Sequence, residues 1–458
     1  MKIVLLNTPG KEVYVRNYYC GSTSKAAYLF QPVDLLALSG ILSLGNDIMV
    51  IDGIADRLEP DAAIQKITAY GADAVVSLVS MVSWDTDREF LLLLKKTLPS
   101  VKIIANGDVF FDDPVRQLEE NAFIDAVIFD FISDDTLLFL NNKRDALRNM
   151  VYRDGDRIVA RRNGVEGKTF ELPVPRHELF INRHYRFPFV RHRPYTTVIT
   201  NFGCPFRCSF CIANTLGFTY RPVANVLEEL RHIVTLNIRE IFFEDMSFGV
   251  PRENTASLCR AMVAEGLHLS WTCFSRVDII DKELLDLMKR AGCHTIMFGV
   301  ESSSEKIRDT YHKDIDRSDI FKLFKMCRAA GIKTVATFIL GLPEDDEQSC
   351  IDTINFAKTI GCDYASFNVA VPRPGTTLRK RALENKTIEK NDVVFDHSGK
   401  TVFSLSKNIS REKLAQLRKR AVREFYFRPS YILDKLLRIR SVTELAEHFR
   451  EFMTLLGK

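Results

Sequence analysis

The chain has 458 residues, 46% of them hydrophobic and 27% charged, with a formal net charge of +4. That is length enough for two or three domains with cores of their own, at the composition of an ordinary globular protein. So small a charge excludes a nucleic-acid surface as the default, and no apolar run reaches the roughly 18 residues of a membrane span.

The opening Met1–Asn7 reads as a buried strand and lacks the cleavage region of a signal peptide, so a cytoplasmic protein is expected. Ten cysteines are scattered and only three form a motif, which fits a reducing compartment with the other seven as packing residues. Over residues 1–145, apolar runs alternate with helix-length amphipathic segments: Ile3–Leu6, Ile48–Ile51, Ala74–Leu78, Val101–Ala105 and Ala126–Phe129. This pattern predicts an α/β domain, a doubly wound, Rossmann-like parallel sheet whose ligands sit beyond the carboxyl ends of the strands. The loops there include Asn7-Thr8-Pro9, Asp52-Gly53, Asn106-Gly107-Asp108 and Asp130–Asp134. Lys11–Phe30 is a long loop rich in tyrosine (Tyr14, Tyr18, Tyr19, Tyr28), either a cover for a cofactor face or a surface excursion.

Residues 146–195 read as a connector. Val151–Ala160 forms a hairpin turning at Asp154-Gly155. Arg183, Arg186, Arg191, His192 and Arg193 then form either an anion-receiving group or, more simply, a solvated face. Residues 196–380 alternate again, with strands at Thr196–Thr200, Glu240–Phe243, Leu269–Phe274, Thr295–Val300, Thr334–Leu340 and Tyr364–Val369. About six βα units are too few for an eight-stranded barrel, and chemistry would gather at the strands' carboxyl ends. Residues 381–458 are helical: Ser410–Phe427, Tyr431–Arg440, and a last helix opened by the capping box Ser441-Val442-Thr443-Glu444 and running to about Leu456.

One stretch organises the rest: Cys204-Pro205-Phe206-Arg207-Cys208-Ser209-Phe210-Cys211. Three thiols at spacing C-x3-C-x2-C cannot complete a tetrahedral zinc site, and they suit a [4Fe-4S] cluster with one iron left open. A zinc loop or unlinked buried thiols are the plainer alternatives.

The motif resembles that of the radical-SAM superfamily, whose signature is C-x3-C-x-aromatic-C, with Phe210 as the aromatic. The resemblance implies a partial (βα)6 barrel. It also implies an enzyme that binds S-adenosylmethionine (SAM) and reductively cleaves it at a [4Fe-4S] cluster, held by Cys204, Cys208 and Cys211, to a 5′-deoxyadenosyl radical. An external one-electron reductant of flavodoxin or ferredoxin type would serve it, and the substrate would be a small molecule. Glu244 or Asp245 would take the SAM amino group, with helix-cap or surface duty as the alternative. Arg276 would take the SAM carboxylate, or else pair structurally with Asp278. In Phe298-Gly299-Val300-Glu301-Ser302, Glu301 is placed for ribose hydroxyls. In Gly341-Leu342-Pro343, Gly341 allows close approach to adenine. Val371-Pro372-Arg373-Pro374-Gly375-Thr376 matches a further family segment.

The first domain looks like the cobalamin-binding domain that precedes many such barrels, a class B methylase-like arrangement. Asn7-Thr8-Pro9 matches the family's Asn-x-Pro, and Asn106-Gly107 stands where Gly-Gly is usual, so Thr8, Pro9, Asn106 and Gly107 are the candidate cobalamin contacts. Phe129–Asp135 replaces the expected glycine-rich fifth loop, which leaves a scaffold role open. Methylation of an unactivated carbon is the leading expectation. Cobalamin-independent dehydration, rearrangement or cyclisation is the second, and a non-catalytic iron–sulfur or nucleotide sensor the third.

Overall fold

The computed structural model describes residues 1–438 except Ala26, Ala27, Glu166, Arg183, Asn391, Val393, Val394, Gly399, Lys400 and Thr401. Arg183 of the connector and the helix expected from Ser441 to Leu456 lie outside the described residues.

The first sheet runs in the spatial order 47–52, 2–7, 74–78, 102–106, 126–128, 149–154, 157–162. Its first five members are parallel, as continuous apolar runs covered on both faces require. The hairpin expected in the connector instead joins this sheet, because Asn149–Asp154 pairs antiparallel with Ala126–Ile128 and caps its edge. Pairing moves out in both directions from Lys2–Asn7, so the switch point lies between that strand and Ala74–Leu78. The loop Lys11–Phe30 lies over this point. Its Arg16 reaches the Asn7 side chain at 2.8 Å, the Thr8 carbonyl at 2.9 Å and Asp87 at 2.6 Å.

The helix Val33–Leu42 is buried along its whole length. A helix apolar all round must be enclosed, and here the connector closes it in: a Cβ on Gly40 would meet the Pro173 carbonyl at 2.2 Å.

The second sheet has six parallel strands in sequence order: Tyr195–Val198, Glu240–Phe243, Ser270–Ser275, Cys293–Glu301, Lys333–Leu340 and Tyr364–Val369. Sequential βα units build the expected open barrel. The helix Arg411–Tyr426 packs on Tyr364–Val369 and on Glu347–Thr359, and Pro429–Arg438 follows it at the barrel mouth. Among the described residues no helix is long and apolar enough to cross a membrane.

The two layers are tied by polar contacts, the first two of them buried. Gln31 donates to the Tyr195 carbonyl at 2.6 Å, Arg373 pairs with Asp108 at 3.2 Å, and the Gly375 amide donates to Asp112 at 2.7 Å. Arg186, Arg191, His192 and Arg193 are exposed, as a solvated face requires.

Candidate functional site

The loop carrying the cysteines is held by a small ribbon in which Asn201–Gly203 pairs antiparallel with Phe218–Tyr220. Gly203, at φ +73°, is required there, since a Cβ would lie 1.8 Å from the Gly217 carbonyl oxygen. Inside the ribbon the Cys204 amide donates to Gly217 at 3.0 Å and the Cys211 amide to Cys208 at 3.0 Å. Two outside segments fix the middle: Ser209 N donates to the Tyr311 carbonyl and Leu378 N to the Ser209 carbonyl. Among the described residues, no three His, Cys, Asp or Glu side chains converge as ligands of a single ion. Cys204, Cys208 and Cys211 instead line one wall of a cavity of about 1690 Å³ between the two layers. That exceeds the roughly 300–1,000 Å³ of ordinary small-molecule pockets.

Burial pushes the Cys208 thiol up, with Lys313 and Arg276 pulling against it, and burial pushes Cys211 to about 12. These thiols stay protonated until an iron takes the place of the proton. Three soft donors on one loop, opening together into a shared space, fit a cluster that leaves one iron toward that space.

Glu244 lines the cavity and is 5% exposed. One oxygen accepts from the Asn17 amide and the other is buried without a partner. Burial raises its carboxyl well above the usual range, with Asp34 and Asp245 adding to the rise. An ammonium group arriving there would satisfy the orphan oxygen and hold the carboxylate ionised. Asp245 differs from the expectation. It is fully buried and spends its oxygens on Thr200 N, Thr200 Oγ1 and Asn201 N at 2.6, 2.6 and 3.0 Å, bracing the strand that enters the cysteine loop.

Arg276 also lines the cavity and is bonded within the chain. Its Nε and one terminal nitrogen grip Asp278 at 2.9 Å each, and the other terminal nitrogen donates to Cys208 Sγ at 3.3 Å. The guanidinium lies 3.8 Å from the Phe206 ring centroid. Of the two roles open to it from the sequence, the ion pair is the one built.

Glu301 sits at φ +70°, costly backbone for a side-chain-bearing residue, where the pairing of Cys293–Glu301 with Lys333–Leu340 slips. The twist turns its carboxylate back along the chain to Lys313 at 3.0 Å, facing the cavity. Gly299 makes room, because a Cβ there would lie 2.3 Å from Glu301 Oε1. Phe210 lines the same wall beside Tyr311. Gly341 does not line the cavity. Its positive φ of 81° serves a turn closed by Asp345, and Leu414 occupies the space over it. Leu342 is the residue of that segment that faces inward.

Thr8, Pro9, Asn106 and Gly107 are buried and do not line the cavity. Thr8 donates to Asp87 at 2.7 Å and Asn106 to Asp34 at 2.9 Å, while Gly107 is packed against the Val79 carbonyl. Arg16, Tyr18 and Tyr19 occupy the ends of the strands, all at 3% exposure or less. In this arrangement the long loop itself packs over the strand ends.

Asn17, Cys20, Lys25, Lys313, Arg373, His397 and Arg418 line the cavity without having been singled out from sequence. Only the tyrosine-rich loop gave a signal for the first three. Of the seven cysteines outside the motif, six are buried in the core and Cys20 faces the cavity. Replacing Cys259 or Cys327 by alanine is expected to leave iron content unchanged by colorimetric assay; a loss of iron would show that the wrong thiols had been chosen.

Residues 198–357 match the model of the Radical SAM superfamily. An uncharacterized methyltransferase of Pyrococcus horikoshii is 27% identical over 451 residues, 95% of each chain. Among solved structures, the radical SAM methyltransferase TsrM of Kitasatospora setae, with cobalamin and a [4Fe-4S] cluster bound, shares the fold at TM-score 0.65 and 16% identity, over 84% of this chain and 75% of its own. The cobalamin-dependent radical SAM enzyme OxsB, with aqua-cobalamin bound, shares it at TM-score 0.70 and 14% identity, over 99% of this chain and 72% of its own. Residues 198–357 are thus similar to the radical SAM superfamily, and the chain shares its fold with those two structures.

Proposed function

We propose that this protein uses the radical SAM reaction to methylate an unactivated carbon of a small molecule. The observation that carries the reading is the large cavity in which the three cysteines, Glu244 and Glu301 face apolar walls drawn from both layers. The P. horikoshii relative is named a methyltransferase over nearly its whole length, and the TsrM and OxsB structures hold cobalamin.

In this reading Cys204, Cys208 and Cys211 hold the cluster, which supplies one-electron cleavage of the sulfonium when loaded. Glu244 receives the SAM amino group on its unpartnered oxygen, and Glu301, fixed by Lys313, receives the ribose hydroxyls. Phe210 covers the cysteine loop. The apolar lining keeps water from a reactive carbon radical and holds the substrate C–H in reach, a matter of about 3–3.5 Å. Cobalamin, when bound facing the cavity, supplies the methyl-carrying cobalt chemistry. The electron comes from a flavodoxin- or ferredoxin-type partner in a reducing cytoplasm, where ten unpaired cysteines persist.

Product analysis tests the reading. Reduced enzyme given SAM and substrate is expected to release S-adenosylhomocysteine together with 5′-deoxyadenosine; 5′-deoxyadenosine alone would rule out methyl transfer.

A further inference from the structure

The cavity's charged groups divide into two sets. Near the cysteines each cation has a carboxylate: Arg276 has Asp278 and Lys313 has Glu301. A second set is built from the long loop, the segment after the last barrel strand and the helix Arg411–Tyr426, and it carries an excess of cations. Lys25, Arg373, Arg418 and Arg423 line the cavity there, and the one lining carboxylate, Glu424, is already held by Lys358 and Arg420. Asp108 and Asp396, the acids nearest Arg373 and Arg418, do not line the cavity.

Two groups in this set lack a partner on the cavity side. Arg418 Nε is buried with no hydrogen-bond acceptor among the described residues. His397 accepts at Nδ1 from Arg373 at 2.7 Å, and since guanidinium only donates, the imidazole must carry its proton on Nε2. That Nε2–H has no partner among the described residues. Burial and the charges of Arg373, Lys25 and Arg418 hold the ring neutral, so it stays a single directed donor. A buried guanidinium nitrogen without an acceptor is costly, and an anion arriving beside it removes that cost. The same cavity has aromatic lining, with Tyr28, Phe30, Phe187, Phe189, Phe274 and Tyr364.

We infer that the substrate is an oxyanion-bearing amphiphile, its carboxylate or phosphate held by Arg418 and His397 Nε2–H and its apolar body laid against the aromatic side chains of the same cavity. The inference rests on the proposed function only in calling the occupant a substrate.

A matched pair of fluorescent probes tests it on the full-length, cluster-loaded protein: anilinonaphthalenesulfonate, an apolar anion, and phenylnaphthylamine, the same ring system without the sulfonate. The sulfonate is expected to bind more tightly than the neutral probe. Arg418→Gln and His397→Gln should each weaken it about tenfold, the loss of one charge-assisted hydrogen bond. Neither variant should change affinity for the neutral probe. Arg418→Lys, which keeps the charge, should lose about threefold or less, and the exposed Lys322→Gln nothing. If Arg418→Gln fails to fold, raising the salt concentration on the unmodified protein must weaken the sulfonate alone. Equal affinity for the two probes, or parallel losses for both in the variants, would overturn the inference. Because no turnover is read, a protein that passes this test yet forms no S-adenosylhomocysteine would refute the methyl-transfer reading and leave the anion site standing.

Discussion

Cys208→Ala is expected to abolish SAM cleavage and to lower bound iron, as are Cys204→Ala and Cys211→Ala. Each thiol is one of only three donors offered by the loop, so none can be covered by a neighbour. The loop cannot shift to recruit another, because Ser209 is tied at its amide to Tyr311 and at its carbonyl to Leu378. Cys20 also faces the cavity but sits on a separate segment, where the buried Arg16 and Tyr18 flank it. The comparison variant is Arg276→Gln, which removes a hydrogen bond to Cys208 Sγ and leaves the thiol. A change behind a metal ligand costs roughly 10- to 100-fold, so this variant should retain measurable turnover. Chemical iron analysis and 5′-deoxyadenosine formation check both. Full cleavage by any of the three cysteine variants would contradict the assignment.

Arg16→Met should destabilise the protein by about 3–5 kcal/mol, the cost of leaving one member of a buried ion pair uncompensated. Arg16 and Asp87 show 1% and 0% side-chain exposure and meet at 2.6 Å. Removal of the cation strands a carboxylate that burial already pushes upward and that Arg16 is the main group holding down. Adding Asp87→Asn should recover much of the loss, since a neutral amide costs less to bury than a lone carboxylate. Chemical denaturation of the two single variants and the double variant measures the coupling. Additive losses would show that the two side chains act independently. The effect reaches the cavity, because the same loop carries Asn17 and Cys20 to its wall.

Most of the architecture was legible because the periodicity is strong. The runs at Ala74–Leu78, Glu240–Phe243 and Tyr364–Val369 are strands over those same residues. The cysteine loop was legible because metal chemistry fixes its spacing. Tertiary competition decided the rest. Asp245 and Glu244 are adjacent acids, and only the fold shows that one is spent on Thr200 and Asn201 while the other keeps an orphan oxygen. Gly341 and Gly107 read as places for a ligand to approach, but Leu414 and Val79 approach instead. Lys313 and His397 gave no signal at all, since each reaches the cavity through a partner elsewhere in the chain, Glu301 for one and Arg373 for the other.

Electron paramagnetic resonance of the anaerobically reconstituted, singly reduced protein, recorded before and after adding SAM, tests the account most directly. A reduced [4Fe-4S] signal that changes shape when SAM binds is the expected result, for it means that one iron is open to the ligand. A protein containing zinc, or a cluster signal that SAM leaves untouched because a fourth side chain fills that iron, would contradict it.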